Sequence, residues 1–279
     1  VGKIAVPQEL TYVGVFLTFR CKFHCSYCIN RSGTLTFGNE LTAQQWVTGL
    51  NRLNINKNLK VPITLSGGEP SMFKGWVDVI SGLDTDFYID ILTNLDFDIY
   101  DFISKIPPER LQRDVPYASI RVSYHPEYSN IFELLPKIYY MQQQGYSIGL
   151  FAVDHPEFDF EPIKKLSDSL KVDFRMKEFL GEYKERIYGN YKYYTGARSG
   201  NDVCKTTELL IAPDGNIHKC HRDLYSGRHP VGNILDDDLK IEFKFRKCED
   251  QQACSPCDIK LKNNRFQKFG ACSVQIEGG

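Results

Sequence analysis

The chain has 279 residues, 42% of them hydrophobic and 25% charged, which is enough apolar material for one large core with a small appendage. Its 34 basic and 35 acidic residues nearly cancel and form no long basic block, so composition points to neither a nucleic-acid nor an anionic-membrane partner. No apolar run approaches the length of a membrane span and no signal-peptide pattern opens the chain, so the expectation is a cytoplasmic protein.

Strand-like runs are predicted at residues 13–18, 61–66, 87–93, 118–123, 147–153 and 172–179. Amphipathic helical patterns fall between several of them, at 41–53 behind the cap candidate Thr42, at 76–83, and at 131–144 ended by Gly145. Such alternation argues for a parallel sheet with outer helices, and in barrel-like folds the chemistry gathers at the C-terminal ends of the strands. Cys21, Gly67, Asn94 and Ser123 each follow directly on one of these runs. From 181 to 200 the character changes to Tyr, Gly and charge without a period (Tyr183, Tyr188, Tyr191, Tyr193, Tyr194), which reads as a linker or a covering of the barrel edge. Leu209 to His218 then reads as two short strands around a Pro213-Asp214-Gly215 turn.

Nine cysteines are an odd number, and their CxxxCxxC and CxxC groupings point to reduced thiols and metal rather than to a disulfide framework. Cys21, Cys25 and Cys28 form the triplet. A structural zinc site wants four closed ligands, and a four-iron cluster serving electron transfer alone wants four cysteines. A cluster held by three leaves one iron open to chelation by a small molecule. Further along, Gly67-Gly68-Glu69-Pro70 supplies two glycines that let the backbone approach a ligand and a carboxylate that complements an ammonium. Alone, the triplet could arise by chance and the Gly-Gly turn could be an ordinary loop; their combination carries the reading.

The triplet, with Tyr27 before its last cysteine and Gly67-Gly68-Glu69-Pro70 after the second run, resembles the radical S-adenosylmethionine (radical SAM) superfamily. The resemblance implies an α/β fold, a partial (β/α)6 TIM-like barrel open on one side. It implies a [4Fe-4S] cluster on Cys21, Cys25 and Cys28, whose open iron is chelated by S-adenosylmethionine. One electron from an external reductant such as flavodoxin or ferredoxin would then cleave the sulfonium to methionine and a 5'-deoxyadenosyl radical, which takes a hydrogen atom from the substrate. By the same resemblance Tyr27 packs beside the adenine, and Gly67, Gly68 and Glu69 meet the methionine amino group. Asn94 and Ser123 occupy positions that commonly bind the ribose and carboxylate. Ordinary readings stand beside these: Thr93-Asn94 as an Asx turn, and His24, His125 and Glu127 as loop residues.

Cys204 and Cys220, with Gly215 five positions before Cys220, followed by Cys254-x2-Cys257, resemble the Twitch and SPASM domains that bind auxiliary clusters. The resemblance implies one auxiliary [4Fe-4S] cluster on Cys204, Cys220, Cys254 and Cys257, with Cys248 or Cys272 able to replace one of them. The run from Cys248 to Cys272 departs from the full SPASM pattern, so a second auxiliary cluster is not expected. A zinc ribbon competes, but the long separation of Cys204 from Cys220 speaks against it. The expected division is 1–181 for the barrel, 182–203 for a linker or edge segment, and 204–279 for the auxiliary-cluster domain.

About ten residues precede the first run, which favours a small substrate over a peptide held by an N-terminal module. The short cysteine-rich tail also resembles that of aminocyclitol dehydrogenases of the superfamily. The function expected is oxidation of a small sugar-like or aminocyclitol-like alcohol. The alternatives are a radical epimerase or a peptide-modifying maturase, with Cys248 or Cys272 returning a hydrogen atom, and, from another class, a non-catalytic iron-sulfur or zinc interaction protein.

Overall fold

A computed structural model describes residues 2–28, 38–179, 181–188, 203–248 and 274–277. The chain runs β1 (Ile4–Ala5), β2 (Tyr12–Thr18), α1 (Ala43–Leu50), β3 (Leu53–Asn54), β4 (Ile63–Gly67), α2 (Trp76–Gly82), β5 (Ile89–Thr93), α3 (Ile99–Lys105), β6 (Ile120–Tyr124), α4 (Ile131–Gln143), β7 (Ile148–Asp154), α5 (Glu161–Ser169) and β8 (Phe174–Glu178). It continues with β9 (Gly181–Tyr183), β10 (Arg186–Tyr188), β11 (Val203–Thr206), β12 (Glu208–Ile211), β13 (Asn216–His218), α6 (His221–Ser226), β14 (Gly232–Asn233), β15 (Arg246–Lys247) and β16 (Val274–Glu277).

All six expected strands are present, and β2, β4, β5, β6, β7 and β8 lie side by side in that order, every neighbouring pair parallel. Helices α1 to α5 lie in the successive crossovers, which gives the partial (β/α)6 barrel. Side chains alternate between the two faces of each strand. Ile63, Leu65, Ile89, Ile91, Ile120, Val122, Ile148 and Leu150 form the set that joins the main core with the helices. Thr64, Ser66, Asp90, Arg121 and Ser123 stand on the opposite face, toward the barrel interior. A slip of one residue would exchange the two sets, so burial of the aliphatic face fixes where the polar residues point. The cap expected at Thr42 forms a reciprocal capping box with Gln45.

The interior is closed on one side by a buried ionic group. Arg113 donates to both oxygens of Asp90 at 2.6 and 2.7 Å, and Arg121 adds a third bond at 3.0 Å. Both guanidinium groups lie over the Tyr117 ring, at 4.8 and 5.6 Å from its centroid.

The division at residue 204 does not follow the sheet: β12 pairs in parallel with β2, and β13 and β14 extend the sheet beyond it. Leu209, Leu210 and Ile211 are buried on both faces, Leu209 and Ile211 in the main core and Leu210 with Phe16, Phe19 and Leu224. Such a strand needs covered neighbours on both sides. The segment expected as a linker or a covering of the barrel edge begins with the hairpin β9–β10, whose turn residues Lys184 and Glu185 have φ of 48° and 60°. Tyr183 packs edge-on to His155 and Tyr188 to Phe179, a covering of the barrel edge; Tyr191, Tyr193 and Tyr194 lie outside the described residues. Among the described residues no helix is long and apolar enough to cross a membrane.

Candidate active site

A cavity of about 310 Å³ opens at the C-terminal ends of the barrel strands. Cys21, Cys25 and Cys28 line it, together with Tyr27, Gly67, Gly68, Glu69, Asn94 and Ser123. Four segments that are distant in sequence therefore meet at one place, each carried there by the end of a different strand.

The two glycines have a reason in the chain itself. Gly67 has φ of +142°, and a Cβ there would stand 2.0 Å from the carbonyl oxygen of Thr18. A Cβ on Gly68 would meet the carbonyl oxygens of Arg20 at 2.3 Å and Phe19 at 2.6 Å. The close approach is needed because Gly68 N–H donates to Thr18 O at 2.8 Å and Glu69 N–H to Arg20 O at 2.9 Å. These bonds tie the end of β4 to the segment that enters the cysteine loop. Gly68→Ala therefore pushes on two backbone carbonyls that cannot swing aside, at a local cost of about 1–3 kcal/mol. The expected result is reduced iron retention after anaerobic reconstitution, with a far-ultraviolet spectrum like the wild type. Iron content equal to the wild type would contradict this role.

Glu69 is 1% exposed, and four donors converge on its carboxylate while Oε2 keeps a lone pair unused by them. Its Oε1 accepts from Ser71 N at 3.1 Å, Ser71 Oγ at 2.8 Å and Thr93 Oγ1 at 2.8 Å, and Oε2 accepts from Asn94 N at 2.7 Å. Burial raises its pKa, and these donors oppose the rise. Asn94 also forms the Asx turn, its Oδ1 accepting from Asp96 N at 2.9 Å while the residue lines the cavity. The sequence-based alternatives for this segment thus coexist.

Burial raises the Cys21 thiol, with the charges of Glu69 and Cys28 adding to the rise. Burial pushes Cys25 up to about 12, with Cys28, Glu127 and Cys21 contributing. Cys21 and Cys25, beside Cys28, become thiolates together only when a cation offsets their charge. That donor set fits an iron-sulfur cluster with one corner left to another ligand. Among the described residues no three His, Cys, Asp or Glu side chains converge as a single metal ion requires. A cluster binds each cysteine to a different iron, so its sulfurs need not converge on one point.

Tyr27 is held by the segment after β6. Its hydroxyl shares a hydrogen bond of 3.0 Å with His125 Nδ1, and the two rings stack. Burial lowers the His125 pKa to about 4, against the pull of Glu127, so its ring is neutral at neutral pH. Arg121, Phe151, Lys177 and Phe179 also line the cavity and were not singled out from the sequence. The available signal was alternation: Arg121 stands two residues before Ser123 on one strand, hence on the same face.

Of the C-terminal cysteines, Cys204 is buried on β11, Cys220 precedes α6 and Cys248 follows β15. β11 and β15 pair with Cys204 opposite Arg246, and the Cys204 thiol is raised first by its hydrogen bond with Cys248 and then by burial. Cys248 thus meets Cys204 and is not among the residues lining the cavity, a placement unlike that of a thiol returning hydrogen there. Cys254, Cys257 and Cys272 lie outside the described residues.

No family model matches the chain. Among solved structures it is similar to Streptococcus suis SuiB bound to S-adenosylmethionine, with a TM-score of 0.57 at 15% identity over 82% of this chain and 64% of that one. SuiB bound to its precursor peptide SuiA gives a TM-score of 0.59 at 15% identity, over 82% of this chain and 63% of that one. The enzyme anSMEcpe with bound S-adenosylmethionine gives 0.55 at 13% identity, over 83% and 79% of the two chains. The chain thus spans less than two thirds of the length of SuiB. At these identities the likeness is one of fold. With these neighbours, which are radical SAM enzymes, the chain shares its fold, a partial (β/α)6 barrel.

Proposed function

We propose that the chain is a radical SAM enzyme that oxidises a small polar alcohol, sugar-like or aminocyclitol-like. The observation that carries the reading is the meeting of Cys21, Cys25 and Cys28 with Tyr27, Gly67, Gly68, Glu69, Asn94 and Ser123 around one cavity. When bound, a [4Fe-4S] cluster on the three thiolates supplies the electron that cleaves S-adenosylmethionine, leaving a 5'-deoxyadenosyl radical that can take a hydrogen atom. The chain's own part is positional and electrostatic. Tyr27 offers a ring to an adenine, the fixed carboxylate of Glu69 complements an ammonium, and Ser123 offers a hydroxyl to the same cavity. Phe151 and Phe179 in the lining exclude water from a reactive species.

Arg121, Lys177 and Glu178 on the same wall support a polar substrate. Loss of a hydrogen atom from an alcohol carbon leaves a ketyl-type radical, which becomes a carbonyl by giving up one electron and one proton. An auxiliary [4Fe-4S] cluster is a suitable electron acceptor. Its ligands in this reading are Cys204, Cys220, Cys254 and Cys257, and the contact between Cys204 and Cys248 supports Cys248 as a replacement for one of them. Residues 204–279 would then supply the auxiliary site while lending β12 to the barrel sheet.

A peptide substrate is the second reading, favoured by the likeness to SuiB in complex with its precursor peptide. A product-mass assay separates the two. With candidate sugars, nucleotide sugars and aminocyclitols, loss of two mass units matched one-to-one with 5'-deoxyadenosine is expected. Unchanged mass with one deuterium taken up from heavy water would favour epimerisation, and turnover on peptides alone would overturn the small-alcohol reading.

A further inference from the structure

Glu127 follows β6 and is far from the cysteine triplet in sequence, yet its carboxylate takes both donors of Ser26. Oε2 accepts the Ser26 backbone N–H at 2.9 Å, and Oε1 accepts the Ser26 hydroxyl at 2.5 Å. Ser26 is the residue between Cys25 and Tyr27. The neighbours of Glu127 hold the same loop: His125 bonds the Tyr27 hydroxyl, and Tyr128 stacks on Phe23 at 5.1 Å with the planes 12° apart. The segment after β6 is thus a clamp on the three-cysteine loop, and Glu127 is its charged member.

Among the described residues no Lys or Arg pairs with Glu127; the side chain facing it is His155, whose Nε2 is 4.0 Å from Oε1. The N–H of Glu157 donates to His155 Nδ1 at 3.3 Å, so a neutral His155 carries its proton on Nε2, directed at Glu127 but beyond hydrogen-bond reach. The Glu127 side chain is 22% exposed, which limits screening by solvent. Reduction adds negative charge to a cluster, and hydrogen bonds to its sulfurs and the surrounding charge set the potential at which this occurs. Glu127 acts in one direction through both: it places a carboxylate beside Cys25, and it claims a loop N–H that could otherwise be given to sulfur.

We propose that Glu127 is a positioning residue of the cysteine triplet which, through Ser26, lowers the reduction potential of the [4Fe-4S] cluster held by Cys21, Cys25 and Cys28. The proposal rests on the cluster reading of the triplet. A lower potential makes the bound cluster a stronger donor toward a sulfonium and demands a stronger external reductant.

The test is a redox titration with dithionite, followed by electron paramagnetic resonance, on the anaerobically reconstituted full chain. The signal followed is the one missing when all three triplet cysteines are changed to Ala. Glu127→Gln keeps the shape, its amide oxygen accepting from Ser26 N–H and its NH2 donating to the hydroxyl, and removes the charge. It is expected to hold iron as the wild type does, with a midpoint shifted to more positive potential. Ser26→Ala, which deletes the hydroxyl contact but leaves the carboxylate and the N–H bond, is expected to keep the wild-type midpoint. An unmoved or more negative midpoint in Glu127→Gln overturns the proposal while leaving the cluster reading intact. Loss of the cluster from Glu127→Gln also overturns it, because an uncharged acceptor of the same shape would then fail to hold the loop. Absence of the signal from the wild type would remove the cluster reading and the proposal with it.

Discussion

Replacing Cys21, Cys25 and Cys28 together by Ala is expected to abolish cleavage of S-adenosylmethionine and to lower the iron content by about four atoms per chain, while leaving about four at the C-terminal cysteines. The three thiols line one cavity and no fourth cysteine joins them among the described residues, so their removal leaves no thiolate donor there. Cys204, Cys220 and Cys248 lie outside that cavity, so a metal held by the C-terminal cysteines does not depend on the triplet. Iron and sulfide analysis of the anaerobically purified variant checks both halves. Wild-type iron content would contradict the assignment of the triplet, and stoichiometric zinc without iron in the variant would replace the auxiliary cluster by a zinc ribbon.

The largest effect on stability is expected from Asp90→Asn, about 3–5 kcal/mol. Asp90 is fully buried, and it is the common partner of Arg113 and Arg121, whose side chains are 2% and 11% exposed. With Asp90 ionised the group carries one net positive charge; with Asn it carries two, both out of water. Neither guanidinium can lose its proton, so the cost cannot be escaped by titration. Urea unfolding of the metal-free chain should show the fall in midpoint, and a change within about 0.5 kcal/mol, as for an ordinary surface substitution, would refute the buried group's role.

The strands of the barrel were legible because their core-facing aliphatic residues recur at every second position, as at Ile89 and Ile91 or Ile120 and Val122, and all six emerge within a few residues of their positions. Helices α3 and α5 were not, for a physical reason. Ile99–Lys105 is only seven residues long and is set by the Asp98 cap, and Glu161–Ser169, although amphipathic, begins Glu-Pro and is mostly polar, with few apolar residues to mark its face. Joining β12 to β2 required long-range pairing that a hairpin pattern cannot reveal. The cavity was legible as far as its motifs, since cysteine spacing and the Gly-Gly turn are local signals. The use of Gly67 and Gly68 was not: their closest neighbours are the carbonyls of the chain at Thr18 to Arg20. Glu127 likewise reads in sequence as a loop residue, and its grip on Ser26 exists only once β6 has been placed opposite the triplet.

The most direct measurement is the reaction itself. The wild-type chain, reconstituted anaerobically with iron and sulfide and given dithionite and S-adenosylmethionine, is expected to form methionine and 5'-deoxyadenosine in equal amounts. The variant lacking Cys21, Cys25 and Cys28 is expected to form neither. S-adenosylmethionine left intact by a wild-type chain that has bound its iron, or cleaved as fast by the variant, would contradict the assignment of this cavity to radical SAM chemistry.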